Sequence, residues 1–525
     1  MKRVRAWLVI ASLLPLSATS LAAEPDLRAA CTSLKSLSTE RFRVENAEWL
    51  STTQEAPEHC LFRVMIDARP SGIEGMSYGT GIELRLPAQW NGRLLFQGGG
   101  GLNGVLLPAV GAVAGFPSAL TRGFAVVSTD SGHRGKNAID SRFGVDQQAK
   151  LDFAYQAVAR TTQEAKSLLS RFYGKKPDYS YYMGCSTGGR EAMLAAQRLP
   201  LEFDGVVAGN PSYNLTRIAV NQIWSLQTVT RIAPKGDAKS GAKPDLSRAF
   251  SDEQLKAVAD GVLQQCDALD GLSDGMINDY QACHFDPATM VCGSKSAPAA
   301  GKCLTAAQSK ALKAIFGGAR NARGESIYGV YPYDTGIAAP VWRGMHLGTN
   351  GNPPANATLG RDTLRNFALT PPAPELDPLQ FDFDRDLART SETAAINDAT
   401  GTLHTAFAGH GAKMIVYHGL SDQAMAAGVL TDWYEHLTPR NAAGPQDWAR
   451  LFLVPGMTHC GGGQSTDHFD MLTAIQSWVE QGHAPERIVA TGQAFPGVSR
   501  PLCPYPKVAR YQSGNASEES SFVCR

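Results

Sequence analysis

Tyr179-Ser180-Tyr181-Tyr182-Met183-Gly184-Cys185-Ser186-Thr187-Gly188 leads a short apolar run into a helical one, Arg190 to Arg198. A strand, a Gly-x-Ser-x-Gly turn and a helix in that order are the parts of a nucleophile elbow. Small flanking residues let the chain turn sharply there and push the serine out at the end of a sheet. An ordinary glycine-rich turn would share the glycines but leave Cys185 unexplained. Ser186 is therefore the candidate nucleophile.

Outward from the elbow, Arg93 to Phe96, Phe124 to Ser128, Gly205 to Ala208, Met414 to Tyr417 and Leu451 to Val454 are short, apolar and bounded by turn residues. Buried parallel strands have that texture. Between them, Leu151 to Phe172 repeats Leu151, Ala154, Ala157, Val158, Ala165, Leu168 and Leu169 at helical spacing. Strands alternating with helices predict a doubly wound, mostly parallel α/β sheet. Residues 24–213 and 411–525 are expected to build it. From 214 to 410 the strand signals fade, four cysteines cluster, and Pro, Gly and Asn become frequent near 348–374. That segment reads as an inserted domain.

A serine hydroxyl attacks only when a base takes its proton and an acid holds that base in the right tautomer. Two residues follow the elbow in the order Ser, acid, His. Asp422 closes His418-Gly419-Leu420-Ser421-Asp422, and His459 lies in Pro455-Gly456-Met457-Thr458-His459-Cys460. Both stand just past predicted strands, where α/β sheets place their sites. His418 precedes the acid and reads as a structural hydrogen-bonding group; His133, His410 and His468 read as surface or packing residues, and the rival acid Asp432 as exposed. The oxyanion of a tetrahedral intermediate needs N–H donors. Thr187 supplies one expectation. The loop Gly98-Gly99-Gly100-Gly101-Leu102-Asn103-Gly104 supplies the other, with Gly100 as the expected donor, because glycines let backbone approach a substrate closely. No Lys-Ser/Thr pair or dinucleotide fingerprint follows to make this a phosphate loop.

The chain has 525 residues, 43% of them hydrophobic, enough for a large core with an addition to it. Lys+Arg and Asp+Glu are 49 each, so no net field gathers nucleic acid or an anionic membrane. Residues 1–23 combine Lys2, Arg3 and Arg5, the apolar run Ala6 to Leu14 and small residues at Ser20, Ala22 and Ala23. That pattern predicts a cleaved export signal and a secreted or periplasmic protein; a membrane anchor would need about 20 apolar residues. Ten cysteines suit an oxidising compartment. Local pairs are Cys31 with Cys60, Cys266 with Cys283, Cys292 with Cys303, and Cys503 with Cys524. Cys185 and Cys460 are left over, each beside a candidate catalytic residue, and spacing leaves their state open.

The insertion carries Cys266-Asp267-Ala268-Leu269-Asp270-Gly271-Leu272-Ser273-Asp274-Gly275-Met276-Ile277-Asn278. Asp267, Asp270 and Asp274, with the carbonyls of Leu272 and Met276, could surround one calcium ion. The terminal Glu of an EF-hand is missing. The other reading is a solvated acidic turn tied by Cys266 and Cys283, although three acids so close repel without a counterion.

Taken together, these residues resemble the tannase/feruloyl esterase family of α/β-hydrolases over nearly all of the mature sequence. The most specific element is Cys185-Ser186, Asp422 and His459-Cys460. The resemblance implies a Cys185 to Cys460 bond, the four local bridges, an oxyanion loop at Gly98 to Gly104 and a calcium loop at Cys266 to Cys283. It also implies that the insertion is a lid over the triad and that Arg500-Pro501-Leu502-Cys503-Pro504-Tyr505-Pro506 is a closing segment. The implied substrates are small esters of aromatic acids of feruloyl, galloyl or terephthaloyl type. Met425, Trp342 and Phe367 are candidates to touch the ring. An amidase or peptidase would use the same three residues. A non-catalytic phenolic-ligand receptor would be marked by loss of one of them, and all three are present.

Overall fold

Ten strands form one sheet: β1 (Phe42–Leu50), β2 (His59–Pro70), β3 (Ser77–Pro87), β4 (Arg93–Gln97), β5 (Ala125–Thr129), β6 (His133–Arg134), β7 (Tyr179–Cys185), β8 (Gly205–Gly209), β9 (Lys413–Gly419) and β10 (Ala449–Val454). The computed structural model describes residues 26–235, 244–349, 351–437 and 444–525, so the expected export signal at 1–23 lies outside the described residues. In space the order is β1-β2-β3-β5-β4-β7-β8-β9-β10, with β6 paired to β3. β1, β2 and β3 are antiparallel to their neighbours, and β5, β4, β7, β8, β9 and β10 are mutually parallel. The chain leaves β4 for β5 on one side and returns to β7 on the other. That reversal opens a crevice at the carboxyl ends of β4 and β7, the usual ligand position in such sheets.

Side chains alternate between the two faces of a strand, and both faces here are covered. Leu94, Phe96, Val127, Tyr182, Val206 and Val416 enter one core. Leu95, Val126, Tyr181, Val207 and Ile415, their immediate neighbours, enter the other. The parallel strands therefore needed apolar residues at most positions, which is what made them legible. β1 to β3 were not read from the sequence. Their signal was the alternation Ile82-Glu83-Leu84-Arg85-Leu86, in which Glu83 is buried and bridged at 2.7 Å by both Arg63 and Arg85.

The expected helix from Leu151 to Phe172 is an α-helical turn Gln147–Leu151, a π-helical turn Asp152–Gln156 and a helix Ala157–Tyr173. Fully buried Arg190 donates to the carbonyls of Phe153 (3.0 Å) and Ala154 (3.2 Å) in the widened turn. Those contacts satisfy carbonyls that a π turn displaces from regular pairing.

Between Gly209 and Lys413 no described residue joins the sheet. This segment has helices Leu215–Ile232, Asp252–Cys266 and Ala306–Phe316, and a core of its own that includes Val229, Phe250, Val258, Ile277 and Leu312. Capping boxes start the second and third helices, Ser251 with Gln254 and Thr305 with Gln308. Five disulfides join Cys31–Cys60, Cys185–Cys460, Cys266–Cys283, Cys292–Cys303 and Cys503–Cys524, leaving no free cysteine among the described residues. No described helix is long and apolar enough to cross a membrane.

Candidate active site

β7 ends at Cys185 and the next helix, Thr187–Arg198, begins two residues later, so Ser186 alone makes the turn, at φ 62° and ψ −121°. A non-glycine residue there is strained and must be held by its surroundings. Its N–H donates to the Gly209 carbonyl at 2.9 Å. The glycines around it are sterically required. A Cβ on Gly188 would lie 2.6 Å from the Gly99 carbonyl oxygen, and one on Gly184 would lie 2.7 Å from the Gly188 carbonyl carbon. The elbow and the loop after β4 thus meet backbone to backbone.

Asp422 sits in the turn after β9. One carboxylate oxygen accepts the N–H groups of Ala424 (2.8 Å) and Met425 (3.1 Å). The other lies 2.8 Å from His459 Nδ1 and accepts the Asn210 side-chain amide at 2.7 Å. Burial alone would raise this carboxyl, but the His459 charge and hydrogen bond, helped by His418 and Asn210, hold it well below the usual carboxylate range. The same pair acts on His459: burial lowers it, Asp422 outweighs burial, and the imidazole is raised. With Nδ1–H bound to Asp422, Nε2 is the nitrogen free to accept a proton. His418 bonds the Met425 carbonyl at 3.1 Å, the structural part expected of it.

The Cys185–Cys460 disulfide, with an S–S distance of 2.01 Å, joins the neighbour of Ser186 to the neighbour of His459 across 275 residues of sequence. Ser186 and His459 line one cavity of about 230 Å³, walled by Leu102, Leu215, Ile218, Met345, Leu359 and Met425. Thr187 lines it too. In the glycine loop the Gly99 N–H is committed to Glu191 and that of Leu102 to the Ala138 carbonyl. Among the described residues the N–H groups of Gly100 and Gly101 have no partner. Gly101, at φ 60°, is in the cavity wall, and Gly100 stands one residue back from it.

Two of the three residues expected to touch a substrate ring do not reach this cavity. Phe367 is fully buried against Phe143 and Phe153, with ring centroids at 5.5 and 5.3 Å. Trp342 is buried in the insertion's own core and lines a separate narrow cavity of about 20 Å³ beside Asp422. Both rings are buried among other protein side chains, away from the cavity that Ser186 lines. Met425 does line the cavity. Asn210 and Glu191 were not read from the sequence. For Asn210 the available signal was its place just past a strand at the carboxyl edge of the sheet.

In the acidic loop Asp267 accepts the N–H groups of Asp274 and Gly275, both at 3.1 Å. Asp270 accepts from the Leu272 N–H at 3.0 Å and the Asn278 amide at 2.6 Å. Asp274 is paired with Arg500 from the tail. Burial raises Asp267 and pushes Asp270 up to about 6. Neither has a cationic partner among the described residues. No described group of three or more His, Cys, Asp or Glu converges as a metal site. Two uncompensated carboxylates, the Asn278 amide and backbone carbonyls still provide the all-oxygen donor chemistry of a hard cation.

The profile of the family described as "Tannase and feruloyl esterase" matches residues 75–525. The chain is 39% identical to mono(2-hydroxyethyl) terephthalate hydrolase of Piscinibacter sakaiensis, covering 92% of this chain and 88% of that protein. It is 29% identical to a probable feruloyl esterase B-1 of Aspergillus oryzae, covering 84% and 82%. The crystal structure of feruloyl esterase B from Aspergillus oryzae superposes with a TM-score of 0.77 at 25% identity, over 95% of this chain and all of that one. Tannin acyl hydrolase from Aspergillus niger shares the fold, with a TM-score of 0.68 at 23% identity over 92% and 90%. An elbow serine that shares a cavity with an Asp-paired histidine, on an α/β-hydrolase sheet, thus agrees with the match across most of the sequence: the chain belongs to the tannase and feruloyl esterase family and is a carboxylic ester hydrolase.

Proposed function

We propose that this protein is an exported esterase that cleaves small esters of aromatic acids through an acyl-enzyme, with Ser186 as nucleophile, His459 as base and Asp422 as its orienting acid. The observation that carries the reading is the 2.8 Å Asp422–His459 contact, made by a histidine that shares a cavity with Ser186 and is tied to it through Cys185 and Cys460. His459 Nε2 takes the Ser186 proton as Oγ attacks the ester carbonyl. The resulting imidazolium is stabilised by Asp422 and passes the proton to the departing alcohol. Water then attacks the acyl-enzyme, His459 again accepting the proton. The N–H groups of Thr187 and of Gly100 or Gly101 would hold the negative oxygen.

Support for an aromatic acyl group comes from the cavity and from the relatives. Its walls are apolar, and Met345 and Met425 offer sulfur atoms that pack well against rings. The relatives are named for feruloyl and terephthalate esters, in which the ester carbonyl is attached to or conjugated with a ring. Five disulfides support export to a periplasm or beyond it. In the insertion, Asp267 and Asp270, with Asp274 and the carbonyls of Leu272 and Met276, would hold calcium as a structural ion. It would neutralise a crowded acidic loop that does not line the cavity around Ser186.

The test is Ser186→Ala assayed on methyl ferulate, methyl gallate and mono(2-hydroxyethyl) terephthalate, beside the matched aromatic amides. Loss of at least about 10⁴-fold in kcat on the esters is expected. Retained ester turnover in the variant, or faster turnover of the amides by the parent, would refute the reading.

A further inference from the structure

Glu191 lies five residues past Ser186, on the helix that the elbow starts, and is 1% exposed. A buried carboxylate needs partners to offset its lost hydration. Four neutral donors supply them. Oε2 accepts the Gly99 N–H at 3.1 Å and the Tyr182 hydroxyl at 2.9 Å. Oε1 accepts the Asn103 amide at 2.6 Å and the Ser131 hydroxyl at 2.8 Å. Arg190, the adjacent cation, turns away and donates to Phe153, Ala154 and Asn397. No part of the Asp422 and His459 network touches Glu191, so its role lies elsewhere.

Its partners locate that role. Gly99 and Asn103 bracket the two N–H groups without partners, those of Gly100 and Gly101. Asn103 is held at φ 52° and Ser131 at φ 62°, conformations that side-chain-bearing residues rarely keep unless their surroundings fix them. Two lesser ties assist: the Gly188 N–H reaches the Gly99 carbonyl at 3.1 Å, and the Thr187 hydroxyl donates to the Gly101 carbonyl. All three ties run from the elbow helix to the glycine loop, and Glu191 is the one that grips the loop at both ends.

We propose that Glu191 is the positioning residue of the oxyanion loop, holding residues 99–103 at a fixed distance from Ser186 so that the loop donors meet the tetrahedral intermediate. The proposal rests on Ser186 being the nucleophile. A donor misplaced by a fraction of an ångström still lets the ground-state ester bind but stabilises the oxyanion poorly, so the loss should fall on kcat and spare KM.

The experiment compares the parent enzyme, Glu191→Met, Glu191→Gln and Glu191→Asp. It uses methyl ferulate kinetics and the p-nitrophenolate burst released when a p-nitrophenyl alkylphosphonate reacts with the serine. In Glu191→Met, kcat and the burst rate are expected to fall about a hundredfold with KM within threefold. Glu191→Gln should recover most of the loss. Its carbonyl can keep Gly99 and Tyr182 while Ser131 rotates and Asn103 turns its amide, whose oxygen has no partner now. If Glu191→Met does not fold, Glu191→Asp carries the test: the carboxylate withdraws by one methylene, and kcat should drop about tenfold at unchanged KM. A folded Met or Asp variant with parental kcat and burst rate overturns the proposal, as does an equal loss in Gln and Met. A parent enzyme that gives no burst would instead strike at Ser186 itself.

Discussion

His459 must be neutral before it can accept the Ser186 proton, and its pairing with Asp422 raises it above the ordinary imidazole value of about 6.5. A raised value means the ring stays protonated to higher pH, so ester turnover should appear only as pH rises through it. The acid limb of kcat/KM against pH is therefore expected to have its midpoint above 6.5. In Asp422→Asn that midpoint should move down while kcat falls about 10⁴-fold. An acid limb that stays in place in this variant would remove Asp422 from the account. The three residues of the proposed triad were legible at this scale because each follows a strand, and strand ends are visible as breaks in apolar runs. Trp342 and Phe367 were not legible, because an aromatic side chain in an insertion looks the same whether it faces a ligand or Phe143. Glu191 was invisible for a related reason: its four partners, Gly99, Asn103, Ser131 and Tyr182, come from three separated segments, and only folding brings them together.

Among the elements, the segments that carry Ser186 and His459 are joined by the crosslink between their neighbours. The double substitution Cys185→Ala, Cys460→Ala removes it without disturbing the strands beneath. Stability should fall by about 2–4 kcal/mol in urea unfolding, and kcat by about a hundredfold through misplacement of the base. A variant that loses stability but keeps kcat would make the bond structural only. The parallel strands matched their sequence readings to within two residues, since burial on both faces leaves a continuous apolar run. The antiparallel strands β1 to β3 escaped because one of their faces carries charge, as at Arg63, Glu83 and Arg85. The helix after β5 was legible in extent but not in its π turn. That turn depends on Arg190 arriving from a different helix.

For the whole molecule, the acidic loop ties the insertion to the tail: Arg500 pairs with Asp274, and Arg510 with Asp279. If calcium neutralises Asp267 and Asp270, chelation with EDTA should lower Tm by about 3 °C, given an ion held at roughly a hundred times its Kd. Added calcium should restore it. Turnover at 25 °C should change little, because the loop is not part of the cavity around Ser186. No shift with EDTA and no heat on titration with calcium would return the loop to a solvated acidic turn. The division of the chain into sheet and insertion could be read from the disappearance of strand signals at 214 and their return at 414. How the insertion packs could not, since its helices bury their faces against residues far along the chain.

The central claim is that Ser186 becomes covalently acylated, and peptide mass mapping after reaction with a fluorophosphonate tests it most directly. The account predicts one adduct per chain, on the peptide containing Ser186, and none after unfolding. Modification of a different residue, or an unmodified folded protein, would contradict it.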